Sequence, residues 1–282
     1  MSSIDRYAVL GNPVAHSQSP FIHAAFARQT GQALDYGRLL CPLDGFEACV
    51  RQFAAEGGRG CNVTVPFKFE AARLAAQVTP RAALAEAANV LRFDADIGWW
   101  ADNSDGIGLM RDIEANAGQP LAGLHVLVIG AGGASAGVLG PLLDTRPAQV
   151  RVLNRTPSRA QALVARHMAL ALQRDVRLEA GGLGAVDGSF DLVINASASS
   201  LQGASVPVPA SVLAPGALAV DLMYGAAAAP FLAWAEAAGA RSRDGLGMLV
   251  EQAAEAFFAW RGVRPSTAPV LKALREHLAA KP

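Results

Sequence analysis

Apolar residues along this chain follow two different periods, and the periods alternate. Short apolar runs at 6–10, 34–41, 60–65, 90–93 and 97–101 have the length and residue types of strands. Between them, apolar residues recur every three or four positions, which predicts helices over 19–30, 44–56, 67–76 and 79–87. In the second helix Phe46, Cys49, Val50 and Phe53 share one face. Turn formers punctuate the pattern: Gly11-Asn12-Pro13, Gly57-Gly58, Pro66, and Asp94-Ala95-Asp96 at the tip of a hairpin. Ser19-Pro20 and Thr79-Pro80 each read as an N-cap followed by proline at the first helical position. Strands and helices in alternation predict a mostly parallel sheet covered on both faces.

A helix over 106–117 leads into a second alternating region. A buried strand at 125–129 runs into a glycine-rich turn, a helix over 133–143 and a second strand ending at Asn154, which is one βαβ unit. Further strands are predicted at 176–179, 192–195 and 218–221, and Asp244-Gly245 closes the region. The helices over 247–260 and 267–280 have no strand to pair with and are expected to fold back on the first domain. The fold class is therefore α/β with two lobes. Residues 1–104 and 245–282 form one domain, and residues 105–244 form a Rossmann-type nucleotide-binding domain. Substrate is expected between the lobes.

Composition narrows the function. The chain has 282 residues, 52% of them hydrophobic, enough for two cores of ordinary size. Lys and Arg number 24 against 24 Asp and Glu, which argues against a nucleic-acid or membrane-surface partner held by bulk charge. Cys41, Cys49 and Cys61 cannot all pair and lack metal-ligand spacing, so a reducing cytoplasm is expected and no metal site. No apolar stretch is long enough to span a bilayer, and no leader pattern opens the chain.

Gly130, Ala131, Gly132, Gly133 and Ala134 sit where a strand becomes a helix. Glycines there permit a tight turn and close approach of a pyrophosphate, and the helix N-terminus supplies N–H donors and a positive dipole end. Ser135 occupies the third small position of the fingerprint. At the end of the second strand, an NAD enzyme carries an acid that binds the ribose hydroxyls. This chain has Asn154, Arg155, Thr156 and Arg159 instead. Guanidinium groups pair with a 2′-phosphate, so the expected cofactor is NADP rather than NAD. Thr156-Pro157 also reads as an N-cap and first helical position, which is compatible with phosphate binding.

Four further segments are unusual for plain structure: Gly11 to Pro20, Asn62 to Lys68, Ala101 to Gly106 and Asp244 to Gln252. Together with the glycine turn they resemble, in order, the signature blocks of the shikimate dehydrogenase family: G-N-P-x-x-H-S-x-S-P, N-V-T-V-P-x-K, G-x-N-T-D-G, G-A-G-G-A and D-G-L-G-M-L-V-x-Q. The resemblance runs from about Tyr7 to beyond Trp260. It implies NADPH-dependent reduction of 3-dehydroshikimate to shikimate, on the route to chorismate and the aromatic amino acids, by a monomer or homodimer acting on a small molecule. It also implies Lys68 and Asp105 as the catalytic pair. Ser17 and Ser19 would bind the substrate carboxylate. Thr64, Asn89, Tyr224 and Gln252, with Lys68 and Asp105, would surround the rest of the substrate, and Gly245 would join the cofactor contacts.

The chain departs from the family pattern at Val90, Ser104, Ala136, Ala229 and within the segment Asn195-Ala196-Ser197-Ala198-Ser199-Ser200. Two other readings stay open. One is a quinate/shikimate dehydrogenase using NAD. The other is a non-catalytic nucleotide sensor on the same fold, against which the retention of both Lys68 and Asp105 argues.

Overall fold

The computed structural model of the chain describes residues 4–197 and 206–280. The chain divides into two units, residues 1–108 with 249–282 and residues 109–248.

In the first unit β1 (Asp5–Gly11) lies between β2 (Leu34–Leu40) and β3 (Gly58–Val63), both parallel to it. The sheet is completed by β4 (Gln77–Val78), β5 (Val90–Arg92) and β6 (Trp100–Asp102), in the order β2-β1-β3-β5-β6-β4. Alternate side chains of β1 enter different cores, as the pleat requires. Ala8 and Leu10 pack with Phe46, Phe53, Val63 and Phe67, whereas Tyr7 and Val9 pack with Val14, Tyr36 and Trp260. Helices α1 (Ser19–Thr30), α2 (Phe46–Ala55), α3 (Lys68–Leu74), α4 (Pro80–Ala85) and α5 (Asp105–Arg111) belong to this half of the chain. The predicted apolar face of α2 is real: Phe46, Val50 and Phe53 are buried, and Phe46 stacks on Phe67 with ring centroids 4.6 Å apart.

Three of the five pairings in this sheet are parallel, and the expected hairpin joins β5 to β6. β3 with β5 and β5 with β6 pair antiparallel. Residues 93–99 join β5 to β6 without a helix, and a parallel return would need a crossover of about a dozen residues. β4 pairs parallel with β6 and was not anticipated, because two residues cannot display a period.

The second unit holds β7 (His125–Ile129), β8 (Gln149–Asn154), β9 (Arg177–Gly182), β10 (Phe190–Asn195), β11 (Leu213–Asp221) and β12 (Arg241–Arg243). Their order is β12-β11-β10-β7-β8-β9 and every pairing is parallel. Counted from β7, this is the doubly wound arrangement in which strand order reverses beside the first strand. Helices α6 (Gly133–Asp144), α7 (Pro157–Arg174) and α8 (Ala229–Ala237) serve as crossovers and cover. The apolar run of β7 is buried from Val126 to Ile129, which is why it reads as continuous rather than alternating. β12 was not anticipated, since Arg241-Ser242-Arg243 carries no apolar residue. An edge strand does not need one.

The helix expected over 106–117 is α5 followed by a π-helical turn, Asp112–Asn116. Asp112 is fully buried and accepts hydrogen bonds from Arg243 at 2.6 and 2.5 Å. A Cβ on Gly247 would collide with the same carboxylate, so glycine is required there.

Of the last two helices, α9 (Leu246–Arg261) and α10 (Ala268–Ala279), the part beyond residue 248 returns to the first unit as expected. Trp260 donates to the Leu91 carbonyl at 3.0 Å, Phe257 packs edge-on to Phe26, Arg261 pairs with Asp5, and His277 stacks on Phe21.

Candidate active site

In the first unit, α3 and α5 each begin with a charged residue, Lys68 and Asp105. A carboxylate at a helix start is stabilised by the free N–H groups of the first turn. Lys68 Nζ donates to Asp105 Oδ2 at 2.5 Å, with the two side chains only 15% and 6% exposed. The other oxygen, Oδ1, accepts from Asn89 Nδ2 at 2.8 Å. Asn89 precedes β5, its side chain is buried, and its Oδ1 accepts the main-chain N–H of Ser104 at 2.8 Å. Its amide nitrogen also reaches Ser104 Oγ at 3.0 Å and Gln252 Oε1 at 3.2 Å. Gln252 is fixed in turn by its own Nε2, which donates to Leu249 O at 2.9 Å. Gly108 makes this approach of α9 feasible, since a Cβ there would sit 2.6 Å from the Gln252 nitrogen.

The turn that carries Asp105 is itself clamped. Asp102, 2% exposed, receives Thr79 Oγ1 at 2.6 Å and the Arg81 guanidinium, and accepts the Asn103 N–H at 2.8 Å. Asn103 then donates to Ala87 O at 2.8 Å and accepts the Asp105 N–H at 3.1 Å. Such a network is satisfied throughout and so holds its shape.

The serine pair lies at the start of α1. Ser17 Oγ and Ser19 Oγ are 3.1 Å apart, and Ser17 O accepts two hydrogen bonds from Arg38, at 2.9 and 2.6 Å. Ser19 was expected to be the N-cap. It is instead the first helical residue, the cap position is Gln18, and the Ser19 N–H is taken by Ser17 Oγ at 3.3 Å. The Ser19 hydroxyl is therefore not spent on capping the helix, whereas Ser17 takes its first amide. Thr64 follows β3, its N–H donates to Leu10 O at 2.9 Å, and its methyl occupies the space where Gly11 would carry a Cβ.

Two buried polar residues of this cluster had no role assigned to them from sequence. Asn62, 5% exposed, accepts from the Tyr36 hydroxyl at 2.6 Å and donates to Asn89 O at 3.1 Å. It shares a strand face with Thr64 by the two-residue period, a usable signal. Ser104 is fully buried between Asn89 and Gln252 and had no signal beyond its neighbours Asn103 and Asp105. Val90 is fully buried in β5.

In the second unit the glycine turn follows β7. Gly130 has φ 111° and donates to Leu153 O at 2.7 Å, and a Cβ there would press on the Ala196 carbonyl at 3.0 Å. Ser135 is fully buried and donates to Gly130 O at 2.8 Å, so the third fingerprint position locks the turn through its hydroxyl. Gly132 is the N-cap of α6, no side chain caps that helix, its first turn has no acid, and the Cβ direction of Gly132 meets nothing within 4 Å. Gly133 and Ala134 open the helix, and Ala136 is buried within it. The helix end thus presents uncapped amides to open space.

Asn154 ends β8 and donates to Thr156 O at 2.9 Å. Arg155 and Arg159 are exposed and lie outside every ion pair of the described residues. Thr156 occupies the N-cap of α7, but its hydroxyl makes no cap bond. Its carbonyl instead accepts the Arg159 N–H at 3.1 Å. At the ends of β10 and β11, Asn195 donates to the fully buried Asp221 at 2.9 Å, and Asp221 accepts the Met223 N–H at 2.8 Å. Gly245 donates to Met223 O at 2.8 Å, and a Cβ on it would strike the Leu222 carbonyl. Tyr224 follows on this loop, partly exposed, and Ala229 begins α8. The departures at Ala198, Ser199 and Ser200 lie outside the described residues.

Three family models match the chain: a shikimate dehydrogenase substrate binding domain over residues 9–91, a shikimate / quinate 5-dehydrogenase over 112–202, and a shikimate 5'-dehydrogenase C-terminal domain over 245–275. The chain is 64% identical over 277 residues to a shikimate dehydrogenase (NADP(+)) of Methylibium petroleiphilum, covering 96% of this chain and 94% of that protein. Among solved structures, an Ael1 enzyme from Pseudomonas putida is 48% identical with TM-score 0.85, covering 96% of this chain and 98% of the other. Shikimate 5-dehydrogenase from Thermus thermophilus in complex with shikimate is 32% identical with TM-score 0.81, covering 98% and 100%.

Proposed function

This chain belongs to the shikimate dehydrogenase family, and from that premise we propose that it catalyses the reversible reduction of 3-dehydroshikimate to shikimate with NADPH. The observation that carries the reading is the Lys68–Asp105 contact at 2.5 Å, with the second Asp105 oxygen held by Asn89.

When bound, NADPH supplies the hydride that reduces the carbonyl carbon. Negative charge then grows on the carbonyl oxygen. The Lys68 ammonium stabilises that charge and gives the oxygen its proton. Asp105 fixes the ammonium, and in the reverse direction Lys68 takes the hydroxyl proton. Ser17 and Ser19 offer two short donors to the substrate carboxylate. Thr64, Asn89 and Gln252 bond the ring hydroxyls, and amides suit a polyol because they donate and accept at once.

The cofactor suits the residues present. The uncapped amides at Gly132, Gly133 and Ala134 would hold the pyrophosphate, with Gly130 and Ala131 making the turn and Gly245 lying beside Met223. Arg155 and Arg159, exposed and outside the ion pairs of the described residues, would hold the 2′-phosphate with Thr156, beside Asn154.

The work is assigned to the cytoplasm and to a monomer or homodimer, in aromatic amino-acid biosynthesis. No helix among the described residues is long and apolar enough to cross a membrane. Light scattering on the purified chain measures the subunit number.

The test is absorbance at 340 nm with shikimate or quinate crossed against NADP or NAD. Shikimate with NADP is expected to dominate. Faster turnover of quinate with NAD would move the protein to the other dehydrogenase class, and no turnover at all would favour a nucleotide sensor.

A further inference from the structure

Behind the serine pair lies a buried polar cluster that the chemistry above does not use. His23 on α1 and Tyr36 on β2 stack face to face, with ring centroids 4.2 Å apart and planes 5° from parallel. His23 is fully buried and Tyr36 is 8% exposed, among Phe26, Phe257 and Trp260. The Tyr36 hydroxyl donates to Asn62 Oδ1 at 2.6 Å, and the Ser19 side chain is its second polar neighbour. From there the bonds continue inward. Asn62 Nδ2 donates to Asn89 O at 3.1 Å, and Asn89 Nδ2 donates to Asp105 Oδ1 at 2.8 Å, whose carboxylate holds Lys68.

An amide can sit in either of two settings that exchange its oxygen and nitrogen. At Asn62 only one setting gives the phenol an acceptor and the Asn89 carbonyl a donor; the other faces two oxygens at each other. Burial pushes the Tyr36 phenol well above its ordinary value, so the hydroxyl stays protonated over the whole working pH range. Neither ring nitrogen of His23 has a hydrogen-bond partner, and burial pushes its pKa down to about 3. The Asn62 side chain is the polar group nearest this neutral imidazole, whose main contact is the face it lays on the Tyr36 ring.

We propose that Tyr36 is a positioning residue for the substrate pocket. Its hydroxyl sets the Asn62 amide and, through the Asn89 main chain, the placement of the Asn89 side chain against Asp105. His23 is the plate that holds the Tyr36 ring in place. The proposal rests on the reading of Asn89 and Asp105 as substrate-pocket residues.

Tyr36→Phe keeps the ring and its stack and removes one oxygen. Loss of a neutral hydrogen bond predicts a rise in KM for 3-dehydroshikimate of about two- to tenfold. KM for NADPH should stay where it was. In an Asn62→Ala or Asn62→Ser background, Tyr36→Phe should have a much smaller effect than in the parent, because the partner that leads to Asn89 is gone and only the Ser19 contact remains. His23→Phe preserves a flat ring and should leave the substrate KM within about twofold of the parent.

Equal changes in both KM values would mark Tyr36 as merely structural, and independent, multiplying losses with Asn62 would break the proposed route. A loss in His23→Phe as large as that in Tyr36→Phe would remove the plate. An enzyme that is active but indifferent to Tyr36→Phe sinks this inference alone. A parent protein silent on 3-dehydroshikimate sinks the reading of the site itself.

Discussion

The polar cluster of the first unit and the glycine turn of the second are built from different materials. The cluster around Asp105 consists of side chains brought together from far along the chain. Asn89 and Gln252, for example, meet across 163 positions. The turn after β7 consists of main chain, and its defining side-chain bond, Ser135 to Gly130, spans five positions. A main-chain site needs glycine at defined places and almost nothing else. A side-chain site needs each member in one rotamer, held by a neighbour that is itself held. The first kind is therefore local and visible in a short window. The second kind depends on the completed fold.

The contrast can be broken at four points. The largest effect is expected from Lys68→Ala. Loss of acid–base help should lower kcat by a factor of about 10² to 10⁴, with NADPH binding little changed. Unaltered turnover would remove Lys68 from the chemistry. Arg155→Ala comes next. A lost charge-assisted bond of about 1.5 to 3 kcal/mol should raise KM for NADPH by one to two orders of magnitude and leave NADH use nearly untouched. Equal losses with both cofactors would make the residue structural.

Gly130→Ala tests whether the main-chain site is as particular as its geometry suggests. At φ 111°, with Ala196 3.0 Å from the new carbon, strain of about 1 to 3 kcal/mol should lower the urea midpoint and weaken cofactor binding together. A stable variant with normal NADPH affinity would show that the turn can relax.

The smallest effect concerns pH. Burial holds His23 down at about 3, against an ordinary value of 6.5. Between those values the unfolded chain binds a proton that the folded chain does not. Stability should therefore fall as pH drops below 6.5, with a contribution of about 1.4 kcal/mol per pH unit from this one group. His23→Phe should remove that slope. Urea midpoints compared at about pH 7 and pH 5 measure it, and identical slopes in the two proteins would mean that His23 is accessible to protons after all.

Much of the second unit could be read in advance. β7 runs from His125 to Ile129 and β8 ends at Asn154, because buried parallel strands are apolar without interruption and end at turn formers. The first sheet was legible in part. The short 93–99 connection marked the hairpin of β5 with β6, whereas the two-residue strand β4 carries no pattern. Caps were located to within a residue, yet neither Ser19 nor Thr156 uses its hydroxyl as a cap. Residue type signals that a helix is about to start; it does not say which oxygen receives the amide. The contacts of Asn62 and Ser104 could not be read for a related reason. A lone polar residue in an apolar strand or tight turn acquires meaning only when its distant partners, Tyr36 or Gln252, are in place.

The Asn89 amide illustrates how narrow the chemical margin is. Its nitrogen lies 2.8 Å from an Asp105 oxygen, and its oxygen accepts the Ser104 N–H. Aspartate is its closest isostere and would fill the same volume. Hydrolysis of the amide, in the test tube or with age, would leave two acids facing each other at that separation. Like charges so close cannot both ionise freely. They would share a proton, and the neighbouring ammonium would be pulled between two anions instead of held by one. Exchanging a single NH2 for oxygen would therefore silence the pocket while leaving its outline unchanged.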